Sequence, residues 1–551
     1  MSIETNTMQQ NTAVLDSAHV GDIEGALGTI RLGEAPSGAR GRLSRRLKIL
    51  AAIVGPGLIV MVGDNDAGAF GTYTQAGQNY GTRLLWTLLL LIPVIYVNQE
   101  MVLRLGAVTG VGHARLIVER FGKFWGAFSV IDLFVLNALT IVTEFVGITL
   151  GLGYLGLPKV PGVITALVLV VAATSTGSFR RFERVCLTLV AGSFALVPIV
   201  LMVHPAVGQV AHDFVVPGLP GGSSQLSTVM LLVIAIVGTT VAPWQLFFQQ
   251  SYVIDKRITP AFMRYEKVDL WIGIVIVVVG AAAMMAFSAA AFAGTSGAGQ
   301  FTDAAGIASG LAAVGGKVAG ILFAVALIDA SIIGAAAVGL STSYAVGDVL
   351  GMNHSLHRKP TEAKAFYAVF GLLMVGAAVI VLIPGSPLGL LTEGVQTLAG
   401  VLLPSATVFL LLLCNDKAVL GPWANKRATN VFTTFVIAIL VLLSVILTAS
   451  VLFPQMSGQA MVGILGVGTA VVVVAGLVSG VLRRMKRRAG VVPAADVVDA
   501  EAKASWRMPP LALLARPEMS LARRVGLGVM RLYLVLMCVL VVVKIVQSAI
   551  G

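Results

Sequence analysis

Long apolar runs alternate with short polar gaps along this chain. The runs lie near 50–77, 84–105, 125–152, 160–177, 184–205, 226–253, 270–293, 317–348, 366–384, 388–414, 430–453, 460–482 and 527–549. Most approach or exceed the roughly 20 residues that a helix needs to cross a bilayer. The pattern predicts an all-α, polytopic membrane protein with about 12–13 transmembrane helices.

Two of the runs are interrupted near their centres. The first contains "GDNDAGAFG", residues 63–71, where Asp64, Asn65 and Asp66 sit among glycines. Glycine weakens a helix and leaves backbone groups free. In lipid such groups are tolerated only beside a cavity or inside protein. The sixth run contains "VGTTVAPWQ", residues 237–245, in which Pro243 cannot donate a backbone hydrogen bond. The two interruptions lie five spans apart. Units of five helices, an odd number, must run in opposite directions, which is the arrangement of an inverted repeat whose broken helices meet at a central ion or substrate site. Carbonyls freed at helix C-terminal ends attract cations. Asp64 and Asp66 add negative charge at the same place, so the residues alone point to a cation transporter.

Composition agrees. Of the 551 residues 57% are hydrophobic and 12% charged, about half the charge of a soluble domain, and mean hydropathy is +0.92. The net charge of +12 would raise the question of nucleic acid in a soluble protein. Here the basic residues fall in the short gaps, where they report membrane orientation and give no reason to expect a nucleic-acid partner. Arg40, Arg42, Arg45, Arg46 and Lys48 precede the first span and predict a cytoplasmic N-terminus. The even gaps are then the basic ones: Arg115, Arg120 and Lys123; Arg180, Arg181 and Arg184; Lys256, Arg257, Arg264 and Lys267; Arg358, Lys359 and Lys364; Lys417, Lys426 and Arg427. The organisation expected is a cytoplasmic tail over 1–46, a ten-helix transport core over 47–415, peripheral helices eleven and twelve over 416–482, a basic cytoplasmic linker over 483–526 and a last transmembrane helix over 527–551, in a multi-pass plasma-membrane protein whose C-terminus lies outside. The linker, with "PAADVVDAEAKAS", reads as a solvated connector. Cys186, Cys414 and Cys538 are far apart and show no metal-ligand spacing.

The residues around the first break resemble a known family. "GPGLIVMVGDNDAGAFGTYTQAG" followed by "YGTRLLW" is similar to the first span of the NRAMP divalent-metal transporters, whose pattern is Gly-Pro-Gly, Asp-Pro-Gly-Asn, Gln-Ala-Gly and Leu-Leu-Trp. "RLGAVTG", "TVAPWQLFFQQS", "VLLPSA" and "CNDKAVLGPWANKR" resemble later family segments, so the likeness spans roughly 47–450. It implies a LeuT-like fold with broken helices 1 and 6, and a divalent metal ion as transported substrate with no cofactor. In this register Asp66 keeps the family's metal-binding aspartate, while the asparagine ligand becomes Ala69 and the sixth-span methionine becomes Ala242. Thr239 takes the place of an alanine whose carbonyl can bind metal. The two sixth-span histidines become Trp244 and Gln249. In the tenth span a glutamine is lost at Leu402 and another kept at Gln396.

A thioether favours softer transition metals over Mg²⁺ and Ca²⁺. Its loss at Ala242 removes that preference and leaves space. Mg²⁺ gives up water reluctantly and is usually held through a few carboxylates and retained waters. The combination resembles the NRAMP-related magnesium transporters, a branch lacking the methionine. The expected site comprises Asp66, with Asp64 and Asn65 as compensating oxygen donors, and Thr239 and Ala242 acting through their carbonyls. Gln245, Gln249, Trp244, Glu144, Asn137 and Gln396 are candidates for the permeation path or for coupling. Glu144 falls on a family aspartate, but Asn137, Gly147 and Trp244 replace acids and a histidine of the proton route, so weak or absent proton coupling is expected. Two alternatives stay open: a proton-coupled Mn²⁺/Fe²⁺ importer, and a Na⁺-linked organic-substrate symporter of the same fold. An enzyme is not expected, since no histidine pair has zincin or cysteine-hydrolase spacing. Beyond the metal ion and the lipid bilayer, no obligate partner is implied.

Overall fold

A computed structural model describes residues 13–31, 42–220, 226–384, 388–453, 456–488, 500–514 and five positions between 526 and 535. After a short hairpin, β1 (Ile23–Gly25) and β2 (Gly28–Ile30), the described residues are almost entirely helical. The first span is built from α1 (Arg42–Ile53), α2 (Pro56–Val62) and α3 (Ala67–Tyr80). Then follow α4 (Trp86–Thr109), α5 (His113–Phe121), α6 (Lys123–Tyr154), α7 (Lys159–Thr174), α8 (Phe179–Gly192), α9 (Leu196–Val203) and α10 (Val207–Val215). The sixth span divides into α11 (Leu226–Thr240) and α12 (Pro243–Asp255). The remainder comprises α13 (Met263–Phe292), α14 (Ala304–Gly315), α15 (Lys317–Leu350), α16 (Lys364–Leu382), α17 (Leu388–Cys414), α18 (Lys417–Leu420), α19 (Arg427–Leu452), α20 (Gly458–Arg488) and α21 (Ala500–Ser505).

Ten stretches are each long and apolar enough to cross a membrane. The broken first span and the 16-residue α7 account for two more of the apolar runs. The thirteenth run, 527–549, lies outside the described residues apart from Leu527, Gly528, Leu532 and Val535. Both interruptions fall where glycine and proline placed them. Pro243 opens the second piece of the sixth span and Pro56 opens α2 ahead of the first break, each at a first-turn position, where a fixed φ is an asset and the missing N–H costs nothing.

The long helices α6 and α15 pack along each other and against α3. The helix α13 braces α2, α3 and α4, and α11 lies on α17. Helices α19 and α20 attach to α11 through a separate small core of Met230, Ile234, Leu443, Ile446 and Met461.

Two segments read as polar connectors are folded onto the core. In the N-terminal tail, Asp16 and His19 are buried and Ile23 is wholly so. Asp16 accepts the N–H of His354 at 2.9 Å and pairs with Arg358 at 2.6 Å. The Ala26 N–H donates to Glu183 at 2.5 Å. The linker expectation is corrected for residues 503–514. The Trp423 indole donates to the Lys503 carbonyl at 2.7 Å, and Met508 is buried and donates its N–H to the Val108 carbonyl at 3.3 Å. Apolar residues inside a polar stretch (Trp506, Met508) supply this docking, which no helical periodicity announced.

Candidate metal site

Between α2 and α3 the residues Gly63, Asp64, Asn65 and Asp66 form an unwound link. Asp66 ends it as the N-cap of α3, its carboxylate accepting the Ala69 N–H at 2.9 Å. A capping carboxylate meets the positive end of a helix. The next orphan donor, the Ala67 N–H, is taken by Glu144 Oε2 of α6 at 3.2 Å. A Cβ on Gly334 of α15 would sit 2.8 Å from the Glu144 carboxyl and 3.0 Å from Asp66 Cβ. Glycine there lets α15 close over both acids.

The second break lies alongside. Ala242 is the N-cap of α12, and its N–H donates to Gln245 Oε1 at 3.3 Å. Three hydroxyl contacts join the two broken spans to each other and to α17. Thr72 and Thr239 meet at 3.3 Å, Tyr73 and Thr240 at 2.8 Å, and Thr239 donates to Gln396 Oε1 at 3.0 Å. Gln396 also lies against Gly68, just past Asp66. Asp66, Glu144, Thr239 and Gln396 are therefore joined through α3 in one polar cluster at the crossing of the breaks, and Asp64 is buried with one of its oxygens, Oδ2, without a hydrogen-bond partner.

The other expected residues are distributed around this point. Asn65 turns away, donating through Nδ2 to the Val277 carbonyl of α13 at 3.2 Å. Asn137 lies farther along α6 and donates to Thr342 at 2.9 Å. The Trp244 ring approaches Gly63, and its carbonyl accepts from Ser341 at 2.9 Å. On the hairpin side of the breaks, Gln99 donates to Gln245 at 3.1 Å. Gln249 there is fully buried with neither side-chain atom bonded. On the opposite side a cleft runs from Ala67 past Gly71 and Gln75 to Asp303.

Sequence reading missed a buried network on the hairpin side. Lys256, counted there as a loop charge that reports orientation, is wholly buried and ion-pairs with Glu183 at 2.6 Å. It also donates to the carbonyls of Ile53 and Val54 at 2.6 and 2.8 Å. Asp269 of α13 caps α2, accepting the N–H groups of Gly55, Gly57 and Leu58 at 3.2, 2.7 and 3.3 Å. Gly55 has φ of 155°, and a side chain there would collide with Glu183. Asp416, which matched a family loop, caps α18 and pairs with Arg120 at 2.7 Å. A hint was present in the sequence: Glu183 and Asp269 are acids within or beside apolar runs, and such acids need partners.

Two broken helices crossing at buried carboxylates, within paired long helices, define a multi-pass membrane transporter built on an inverted repeat. The Nramp model, described as natural resistance-associated macrophage protein-like, matches residues 57–450, and the chain belongs to that family. A divalent metal cation transporter MntH of Ralstonia nicotianae is 31% identical over 404 residues, covering 70% of this chain and 87% of that protein. One from Lacticaseibacillus casei is 27% identical over 434 residues, covering 74% and 90%. Among solved structures, a histidine-to-alanine mutant of the Eremococcus coleocola manganese transporter superposes with a TM-score of 0.60 at 19% identity, covering 84% of this chain and 98% of its own. That likeness bears on the fold.

Proposed function

We propose that this protein carries divalent metal cations across the cytoplasmic membrane by alternating access, with Mg²⁺ as the favoured cargo and little or no proton coupling. The observation that carries the reading is the donor set at the crossing. Asp64, Asp66, the Thr239 hydroxyl and the Gln396 amide offer oxygen, while Ala242 stands where the family has a thioether. Hard oxygen donors suit Mg²⁺. Among the described residues, no group of three or more His, Cys, Asp or Glu side chains is arranged to hold a metal ion. A cation held by two carboxylates, carbonyls and an amide keeps part of its water. Unbonded buried amide atoms of Gln245 and Gln249 on the hairpin side fit a path that such a hydrated ion could follow. The basic gaps favour a cytoplasmic position for that side.

A second reading is proton-coupled Mn²⁺ import. It is favoured by Glu144, whose carboxyl lies against the Asp66 cap. Proteoliposomes separate the two. Mg²⁺ entry that Mn²⁺ displaces poorly, without acidification of the lumen, is the expected result. Stoichiometric acidification accompanying Mn²⁺ entry would establish the second reading.

A further inference from the structure

A second cavity lies behind the first break. It occupies about 520 Å³ between the first span, the turn at Ser193 and Phe194 with α9 and α10, α13 and α15. Its mouth is apolar and turned outward from the protein: Phe194, Val197, Leu201 and Val279 are 50–66% exposed. A bilayer would meet this mouth with its hydrocarbon. The floor is different. Asp329 of α15 lines the cavity, and its carboxylate rests over Gly192, where a Cβ would come within 2.5 Å of Oδ1. Among the described residues no hydrogen bond or ion pair satisfies that carboxylate. Asn65 lines the same cavity. It is 5% exposed, with Oδ1 buried and unbonded. The floor thus offers two acceptors, one of them anionic, and no donor to match them.

An intramembrane carboxylate without a partner is costly and marks a site. We infer that this cavity binds a cationic amphiphile, a protonated alkylamine, with its head between Asp329 and Asn65 and its chain among the apolar wall residues. Depth selects this occupant over a lipid headgroup. Asp329 lies twelve residues beyond Lys317 along α15, roughly 18 Å of helix rise, far from either surface. The volume suits a ligand of drug size. Asn65 belongs to the link between α2 and α3, so a ligand bonded to it holds that link in place and slows transport. Only this last consequence rests on the function proposed above.

Dodecylamine tests the site, with dodecanol as a control of equal chain length and no charge. The full chain in mild detergent is followed by thermal unfolding, and metal flux is followed in proteoliposomes. Dodecylamine is expected to raise the unfolding temperature and inhibit flux, and dodecanol to do neither at the same concentration. Asp329→Asn is expected to weaken the amine effect at least tenfold. Val279→Trp narrows the mouth from an exposed position and is expected to abolish the effect with unfolding of the free protein unchanged. Equal action of the two probes would reduce the cavity to an acyl-chain slot and overturn the inference, as would an unweakened amine effect in both variants. A stability shift in a protein that moves no metal would leave the site standing and remove the transport reading instead.

Discussion

Replacing Lys256 with methionine tests what keeps the hairpin side shut. The Lys256 ammonium is fully buried and makes three charge-assisted bonds, to Glu183 and to the Ile53 and Val54 carbonyls, all within 2.6–2.8 Å. These bonds hold the start of α2 against α8 and α12. In Lys256→Met the Glu183 carboxylate stays buried without its counter-ion. Removing one partner of a buried pair costs about 3–5 kcal/mol. If α2 swings outward, water reaches Glu183 and the cost is relieved, so it appears as a shift towards the open state. At about 1.4 kcal/mol per factor of ten, the open population rises by roughly 10² to a few times 10³. The reporter is Gln249→Cys, a buried position between the metal site and the seal, in a background lacking Cys186, Cys414 and Cys538. Its alkylation by a membrane-impermeant maleimide applied from the hairpin side is expected to accelerate by about that factor in Lys256→Met. The double variant Glu183→Gln/Lys256→Met leaves no uncompensated charge and is expected to return within about tenfold of the starting rate. Unchanged labelling in Lys256→Met would refute the assignment of this ion pair as the seal.

Two other outcomes follow from the same geometry. Ala242→Met places a thioether at the N-cap of α12, in the second break, and is expected to shift competition towards Mn²⁺ by about tenfold over Mg²⁺, measured by uptake from mixed-metal solutions. Docking of the N-terminal tail is expected to depend on pH with a maximum near 6.5–7. Burial works against charge on His354, but the Asp348 carboxylate outweighs it and raises the imidazole pKa from 6.5 to about 9. That contribution, roughly 3 kcal/mol to the fold around the end of α15, is complete below pH 6.5 and is lost as pH rises through 9, and the tail shares in it through Asp16, whose carboxylate also favours the imidazolium. Burial lowers the pKa of His19 below its usual 6.5, against the pull of Asp255, so its contribution is present above pH 6.5 and is lost as pH falls. Hydrogen exchange of residues 13–31 should show protection falling on both flanks, with the alkaline flank removed in His354→Gln.

Periodicity and composition were enough to read the first twelve spans, because a bilayer demands long apolar helices and tolerates breaks only beside a site. Pro243 and the Gly63–Gly68 cluster located both interruptions for that reason. The family register carried Asp66 and Gln396 to the crossing, and the fold brings them together with Glu144 and Thr239. Long-range partners were less legible. Lys256, Glu183 and Asp269 lie in three separate segments, and only the folded chain shows that they converge on α2. A basic residue at a span end has the same sequence signature whether it faces lipid headgroups or seals a gate. The tail and the linker stayed hidden because single buried residues such as Ile23 and Met508 make no periodic pattern. Asn65, expected from the sequence as an oxygen donor to the ion, bonds α13 through its Nδ2, where Gly280 makes room for it, and its Oδ1 stays unbonded.

The central claim is that a divalent cation is held at the crossing of the broken helices by Asp66 and its neighbours. It is tested most directly by flux of Mg²⁺, Mn²⁺, Ca²⁺ and Ni²⁺ into proteoliposomes containing the unaltered protein or Asp66→Ala. Mg²⁺ flux is predicted in the unaltered protein and loss of flux by at least tenfold in the variant, with stability lowered by no more than the roughly 1 kcal/mol of one lost helix cap. Undiminished flux through Asp66→Ala would contradict it.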